Sequence, residues 1–119
     1  MKQSVTLPYP PSLNNLHAVV RGRKILTAEG RRYKTTASAM AIAAGIKPIV
    51  AGDIIVTVTL YRPRRAGDID NFCKAPFDAL KGIAWTDDGQ VQRLDMERFE
   101  DKANPRVVVT IQPVTPEAP

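Results

Sequence analysis

Apolar and polar positions recur along the chain with two different periods, and those periods mark out its elements. Asp53–Tyr61 alternates, placing Ile54, Val56, Val58 and Leu60 on one face, which predicts a strand because successive side chains of an extended chain point to opposite sides. Tyr33, Ala37, Met40, Ala41 and Ala44 instead fall at i, i+4, i+7, i+8 and i+11, one stripe of a 3.6-residue period, and predict a helix over Ala28–Ala44. Thr27 stands where an N-cap hydroxyl is favoured and Gly45 where helices commonly stop, while Arg31, Arg32 and Lys34 take the other side. A second helical spacing runs through Ile69, Phe72, Cys73, Phe77 and Leu80 and ends at Gly82, with Pro76 inside it. An interior proline would lose its bond to Phe72, so the helix either starts just before Pro76 or kinks there.

The remaining segments are shorter. Ser4–Leu7 reads as a strand closed by Pro8, Pro10 and Pro11, Ser12–Asn15 as a polar loop, and Ala18–Leu26 as a hairpin with Gly22 at its tip. Val91–Phe99 and Arg106–Gln112 read as two strands joined around Lys102–Pro105. The order β, hairpin, α, β, α, β, β predicts an α+β protein: a two-layer α/β sandwich, with a mixed sheet carrying two main helices. At 119 residues the chain fits one domain, residues 1–112, and the proline-rich stretch 113–119 is expected to fray.

Composition narrows the function. An apolar fraction of 44% excludes wholesale disorder, and no apolar run approaches the ~20 residues of a membrane span. The N-terminal MKQSVTLPYPP lacks the apolar core of a secretory signal, and a lone Cys73 makes no internal disulfide, so a reducing cytoplasmic location is expected. Charge is unevenly spread. Residues 1–67 carry eleven Lys and Arg against two acids, a balance of +9; residues 68–119 carry six against ten, a balance of −4. A basic half suits a polyanion, and since no strongly apolar face accompanies it, nucleic acid fits better than a membrane surface.

The acidic half supplies candidate chemistry. Asp68 and Asp70 would point the same way only in an extended segment ahead of the helix; the alternative for Asp70 is an N-cap. Arg62, Arg64 and Arg65 lie just upstream, in a segment that reads as a basic loop from Arg62 to Gly67. Lys74 follows Asp70 by four residues, close enough to reach the same site or to form an ordinary surface ion pair. Asp87-Asp88-Gly89 adds two more carboxylates, or a simple turn. Several carboxylates held within a few ångströms repel unless a cation lies between them, and hard oxygen donors with open positions suit Mg²⁺ or Mn²⁺. One Cys and one His argue against zinc. His17, the single imidazole, leaves serine or cysteine nucleophile schemes without a base, and no glycine-rich phosphate loop is present.

The run Asp68-Ile69-Asp70-Asn71-Phe72-Cys73-Lys74, then Asp78-Ala79-Leu80, then Trp85-Thr86-Asp87-Asp88-Gly89-Gln90, resembles the RusA-type Holliday junction resolvases. The opening Leu7-Pro8-Tyr9-Pro10-Pro11-Ser12, with Asn14 and Asn15, is similar to the same family's first motif, and the resemblance spans roughly residues 5 to 112. It implies a homodimeric, Mg²⁺-dependent endonuclease, often phage-encoded, that makes paired nicks in four-way DNA junctions during recombination and repair. On that resemblance Asp68, Asp70 and Asp88 hold the metal, with Asp87 secondary, and Lys74 completes the catalytic set. DNA is contacted by Ser12, Asn14 and Asn15 within Ser12–Leu16 and by Arg62, Arg64, Arg65 and Asn71 within Arg62–Asn71. The family's arginine run is here interrupted as Arg64-Arg65-Ala66-Gly67, which bears on the grip on DNA more than on the chemistry. The implied reaction is metal-assisted phosphodiester hydrolysis, with Lys74 offsetting transition-state charge or orienting water. Two other readings stay open: a non-catalytic nucleic-acid-binding module, and a related nuclease acting on flaps or duplex DNA.

Overall fold

The computed structural model describes residues 2–65 and 68–114, without the side chain of Asp70. Its four-stranded mixed sheet is organised around the most strictly alternating segment of the chain, Ile54–Arg62, called β4 as the fourth strand. Ile54, Val56, Val58 and Leu60 are fully buried beneath the helices, as the alternation requires. On one side β4 pairs antiparallel with β6 (Arg106–Pro113), which in turn pairs antiparallel with β1 (Gln3–Pro8). On the other side it pairs parallel with β5 (Val91–Glu100), giving the order β1-β6-β4-β5.

That order differs from a simple hairpin of the last two strands, because β4 lies between β5 and β6. The physical reason lies in the side chains. Val107, Val109 and Ile111 of β6 are completely buried and demand an inner position, whereas β5 carries Arg93, Asp95, Glu97, Arg98 and Glu100, suited to a solvated edge. A parallel β4–β5 pair also requires a crossover, which residues 63–90 supply.

Two main helices pack against the sheet. The first, α2 (Ala28–Ala43), starts at Thr27, whose Oγ1 accepts from the Gly30 amide at 3.0 Å, and Gly45 beyond its end takes the left-handed φ of 81° expected of a stop. Its buried line is Gly30–Tyr33–Ala37–Ala41; Met40 and Ala44 of the expected stripe face outward. The second, α3 (Lys74–Leu80), follows a 3-10 helix over Ile69–Phe72. Pro76 is its third residue, where an amide has no intrahelical partner to lose, so the helix begins just before the proline. Ser38 Oγ donates to Ala79 O at 2.9 Å and ties the two helices together.

The segment expected as a polar loop closes into one helical turn, α1 (Leu13–Leu16), anchored by the buried Leu16. β2 (His17–Val20) and β3 (Arg23–Leu26) form the expected hairpin, with positive φ at Arg21 and Gly22 in its two-residue turn. At the other end of the chain, Pro113 belongs to β6 and the Val114 amide donates to Asp53 O at 2.9 Å, so order extends past the expected boundary at 112. Residues 115–119 lie outside the described residues. Among the described residues no helix is long and apolar enough to cross a membrane.

Gly30 sets how closely α2 approaches α1. A Cβ there would stand 2.8 Å from Leu16 O and about as near to two leucine methyl groups. In an exposed helix Gly→Ala gains about 1 kcal/mol. Here the blocking atom is backbone, and overpacking of this kind costs about 1–3 kcal/mol. Gly30→Ala is therefore expected to lower stability in urea denaturation; a raised midpoint would show that α1 yields freely.

Candidate active site

The loop after β4 delivers the first carboxylates. Asp68 is extended (φ −84°, ψ 149°) and occupies the N-cap position of the 3-10 helix, where its main-chain carbonyl accepts from the Asn71 amide at 3.1 Å. Its side chain makes no capping bond, so the exposed carboxylate is not consumed in holding the turn. The backbone of Asp70 lies inside that 3-10 helix. The pair is thus not the extended stretch expected from the sequence, and Asp70 is not the cap; its side chain lies outside the described residues.

The second acidic pair depends on the core. After α3 the chain turns sharply at Gly82 (φ 87°), whose amide donates to Trp85 O at 2.7 Å. This places Trp85 fully buried, edge-on to Phe77 with ring centroids 5.2 Å apart. A buried indole N–H needs an acceptor, and Nε1 donates to Asp88 Oδ1 at 2.8 Å. The other oxygen, Oδ2, is 3.9 Å from Lys81 Nζ, and the Asp88 side chain remains about half exposed (47%). Asp87 acts on the turn itself, capping the short 3-10 helix Asp88–Gln90 in a reciprocal capping box with Gln90. The Gln90 side-chain Nε2 also donates to Ile49 O and Gly52 O, pinning this turn to the chain ahead of β4.

The cations divide into three groups. Lys74 Nζ lies 3.1 Å from Asp78 Oδ1 across one turn of α3, a half-exposed pair worth about 0.5 kcal/mol or less and easily exchanged for another anion. Arg62 is fully buried, with Nη2 3.0 Å from Glu100 Oε1. The strand parity that buries residues 54 to 60 also turns residue 62 inward, so Arg62 belongs to β4 rather than to the exposed basic loop expected from the sequence. Arg64 and Arg65 are exposed, as are Asn14 and Asn15; Ser12 and Asn71 are half-buried.

The structure brings Ser12, Asn15 and Arg64 to one groove of about 560 Å³, together with Tyr9, Arg32 and Phe72, which the sequence did not single out for a binding role. The available signals were the prolines of Leu7–Pro11 and the basic outer side of α2. Tyr9 and Phe72 lie 5.4 Å apart with rings tilted by 46°. Burial pushes the Tyr9 phenol above its usual pKa, and the nearby Arg62 charge opposes that shift.

Among the described residues no three His, Cys, Asp or Glu side chains converge on one point. Asp68 and Asp88 are two of the three expected ligands, and the third, Asp70, has its side chain outside the described residues. The donors themselves suit a hard divalent cation: carboxylate oxygens, one set unused by capping and the other steadied by an indole N–H, with no thiolate or imidazole.

The family model for endodeoxyribonuclease RusA matches residues 8–112. Two relatives, the crossover junction endodeoxyribonucleases RusA of Escherichia coli strain K12 and of Shigella sonnei strain Ss046, are each 39% identical over 90 residues, covering 74% of this chain and 75% of theirs. The crossover junction endodeoxyribonuclease of Enterobacteria phage 82 is 37% identical over 89 residues, covering 73% of this chain and 74% of its own.

Proposed function

The chain belongs to the RusA endodeoxyribonuclease family, and on that premise we propose that it resolves four-way DNA junctions by metal-dependent phosphodiester hydrolysis. The observation that carries this reading is the family match over residues 8–112, which takes in Asp68, Asp70, Lys74 and Asp88 together. Asp68, Asp70 and Asp88 hold Mg²⁺, with Mn²⁺ able to replace it, and Asp87 steadies the turn that presents Asp88. When bound, the ion lowers the pKa of a coordinated water and offsets charge on the scissile phosphate.

The protein's own groups do the rest. Trp85 fixes the direction of Asp88 by its 2.8 Å hydrogen bond. Lys74 exchanges Asp78 for the phosphate and stabilises its growing negative charge or orients the attacking water. Carboxylates alone would repel DNA; Arg64 and Arg65, with Ser12, Asn14, Asn15 and Asn71, supply phosphate contacts that hold it without reading sequence. A two-fold dimer matches the near two-fold symmetry of a junction and lets each protomer cut one of two opposed strands.

The test compares a synthetic four-way junction with linear duplexes built from its arms, in Mg²⁺ and in EDTA. Paired nicks at the branch, seen only with the metal and only in the junction, are expected. Equal cutting of the duplex would favour a general nuclease, and junction binding without cutting would favour an inert DNA-binding module.

A further inference from the structure

The groove between the Pro8–Ser12 segment and α2 has features that simple phosphate binding does not require. At about 560 Å³ it falls within the ~300–1,000 Å³ of clefts that take small organic molecules. A duplex backbone is convex and broad and would lie across such a cleft without filling it. Its walls are set before any ligand arrives. Pro8, Pro10 and Pro11 restrict the backbone on one side, and Tyr33 Oη donates to Pro8 O at 2.8 Å from the other. Burial pushes the Tyr33 phenol well above its ordinary pKa, so this strut remains a neutral donor.

The lining combines three chemistries. Half-buried Tyr9 and Phe72 present aromatic surface, tilted to one another rather than stacked, so neither face fully satisfies the other. Arg32 and Arg64 place two exposed cations at the rim against a single acid, Glu29. Ser12 and Asn15 add neutral hydrogen-bonding groups. An aromatic surface with flanking guanidinium groups is the pattern by which proteins hold unpaired nucleotides: the base stacks and the phosphate meets the cations. The groove also adjoins the carboxylates along the chain, since Arg64 precedes Asp68 by four residues and Phe72 follows Asp70 by two.

We propose that this groove is a subsite for one nucleotide whose base is turned out of the stack at the branch point, held beside the strand to be cut. The inference rests on the junction-cleaving reading above and adds to it the occupant of a particular cleft. Branch-point bases are the least costly to unstack in the substrate, because their neighbours on one side are already interrupted.

The experiment uses four-way junctions with 2-aminopurine placed in turn at each branch-point position, bound by the full chain with Ca²⁺ in place of Mg²⁺. Release from the neighbouring bases raises 2-aminopurine fluorescence, which tilted tyrosine and phenylalanine rings quench less than stacked bases do, and the wild type is expected to raise it about threefold or more at one position. Thr36→Trp places a large side chain in the groove from an exposed helix position, and Arg32→Ala removes a rim cation. Each is expected to cut that rise by more than about half at saturating protein, with the circular dichroism spectrum unchanged. A bound and cleavable junction with no rise at any position would overturn the subsite while leaving the nuclease standing. So would a rise that persists in both variants. A junction neither bound nor cut in Mg²⁺ would instead remove the reading beneath it.

Discussion

Asp70→Asn is expected to lower single-turnover cleavage of a junction in Mg²⁺ by at least about a thousandfold, which corresponds to roughly 4 kcal/mol of transition-state stabilisation. The amide is nearly isosteric with the carboxylate, so what changes is one negative charge and one hard donor. Removing that charge also reduces repulsion between the site and the phosphates, so junction binding should be kept or strengthened. The two effects together separate an enzyme from an inert binding module, in which the same substitution would leave both measurements alone. Asp87→Asn provides the contrast. Asp87 holds an N-cap and a capping box, and asparagine caps about as well as aspartate, so only a few-fold loss is expected. Saturable quenching of Trp85 fluorescence by Mn²⁺ follows metal binding directly and should weaken in Asp70→Asn. An Asp70→Asn protein that cleaves within tenfold of wild type would remove this carboxylate from the chemistry.

The contrast between Asp70 and Asp87 also marks where the sequence stops being informative. Period-2 alternation identifies the buried face of β4 correctly, because it depends only on which side of a strand meets the core. It carries no information on which strands are neighbours, so the insertion of β4 between β5 and β6 is not legible from their adjacency in the chain. Local chemistry is readable where one residue decides the conformation: the positive φ at Gly22, the cap at Thr27, and Pro76 in the first turn of α3. It misleads where a few residues can satisfy two geometries. Paired carboxylates at Asp68 and Asp70 suggest an extended segment, but only Asp68 is extended; Asp70 sits in a 3-10 helix whose short span gives no periodic signal. Arg62 looks like part of a basic loop, yet the parity of β4 carries its guanidinium inside against Glu100. The groove combines segments more than 50 residues apart, and no pattern along the chain announces that. The fold class is therefore readable along the chain, while the arrangement of donors has to come from packing.

Packing makes its sharpest prediction at Trp85. Trp85→Phe is expected to weaken Mn²⁺ binding and junction cleavage by about ten- to a hundredfold, the range typical of losing a group that orients a metal ligand. Phenylalanine preserves much of the buried apolar surface and the aromatic contact with Phe77, so the main loss is the Nε1 donor to Asp88. Lys81 cannot replace it. At 3.9 Å, with both side chains about half exposed, that ion pair constrains Asp88 only weakly, and Lys81→Met should change cleavage by no more than a few-fold. Stability should separate from activity in the same series. Trp85→Ala, which empties a fully buried site, is expected to cost about 3–5 kcal/mol. Trp85→Phe should cost about 1–2 kcal/mol, from a modest loss of volume and one buried hydrogen bond. Since the indole is itself the fluorophore, metal affinity in this variant is measured by electron paramagnetic resonance of free Mn²⁺. A Trp85→Phe protein that holds Mn²⁺ and cuts junctions as well as wild type would mean that Asp88 is aligned by the turn at Asp87–Gln90 alone. The buried indole would then be a core residue with no bearing on the site.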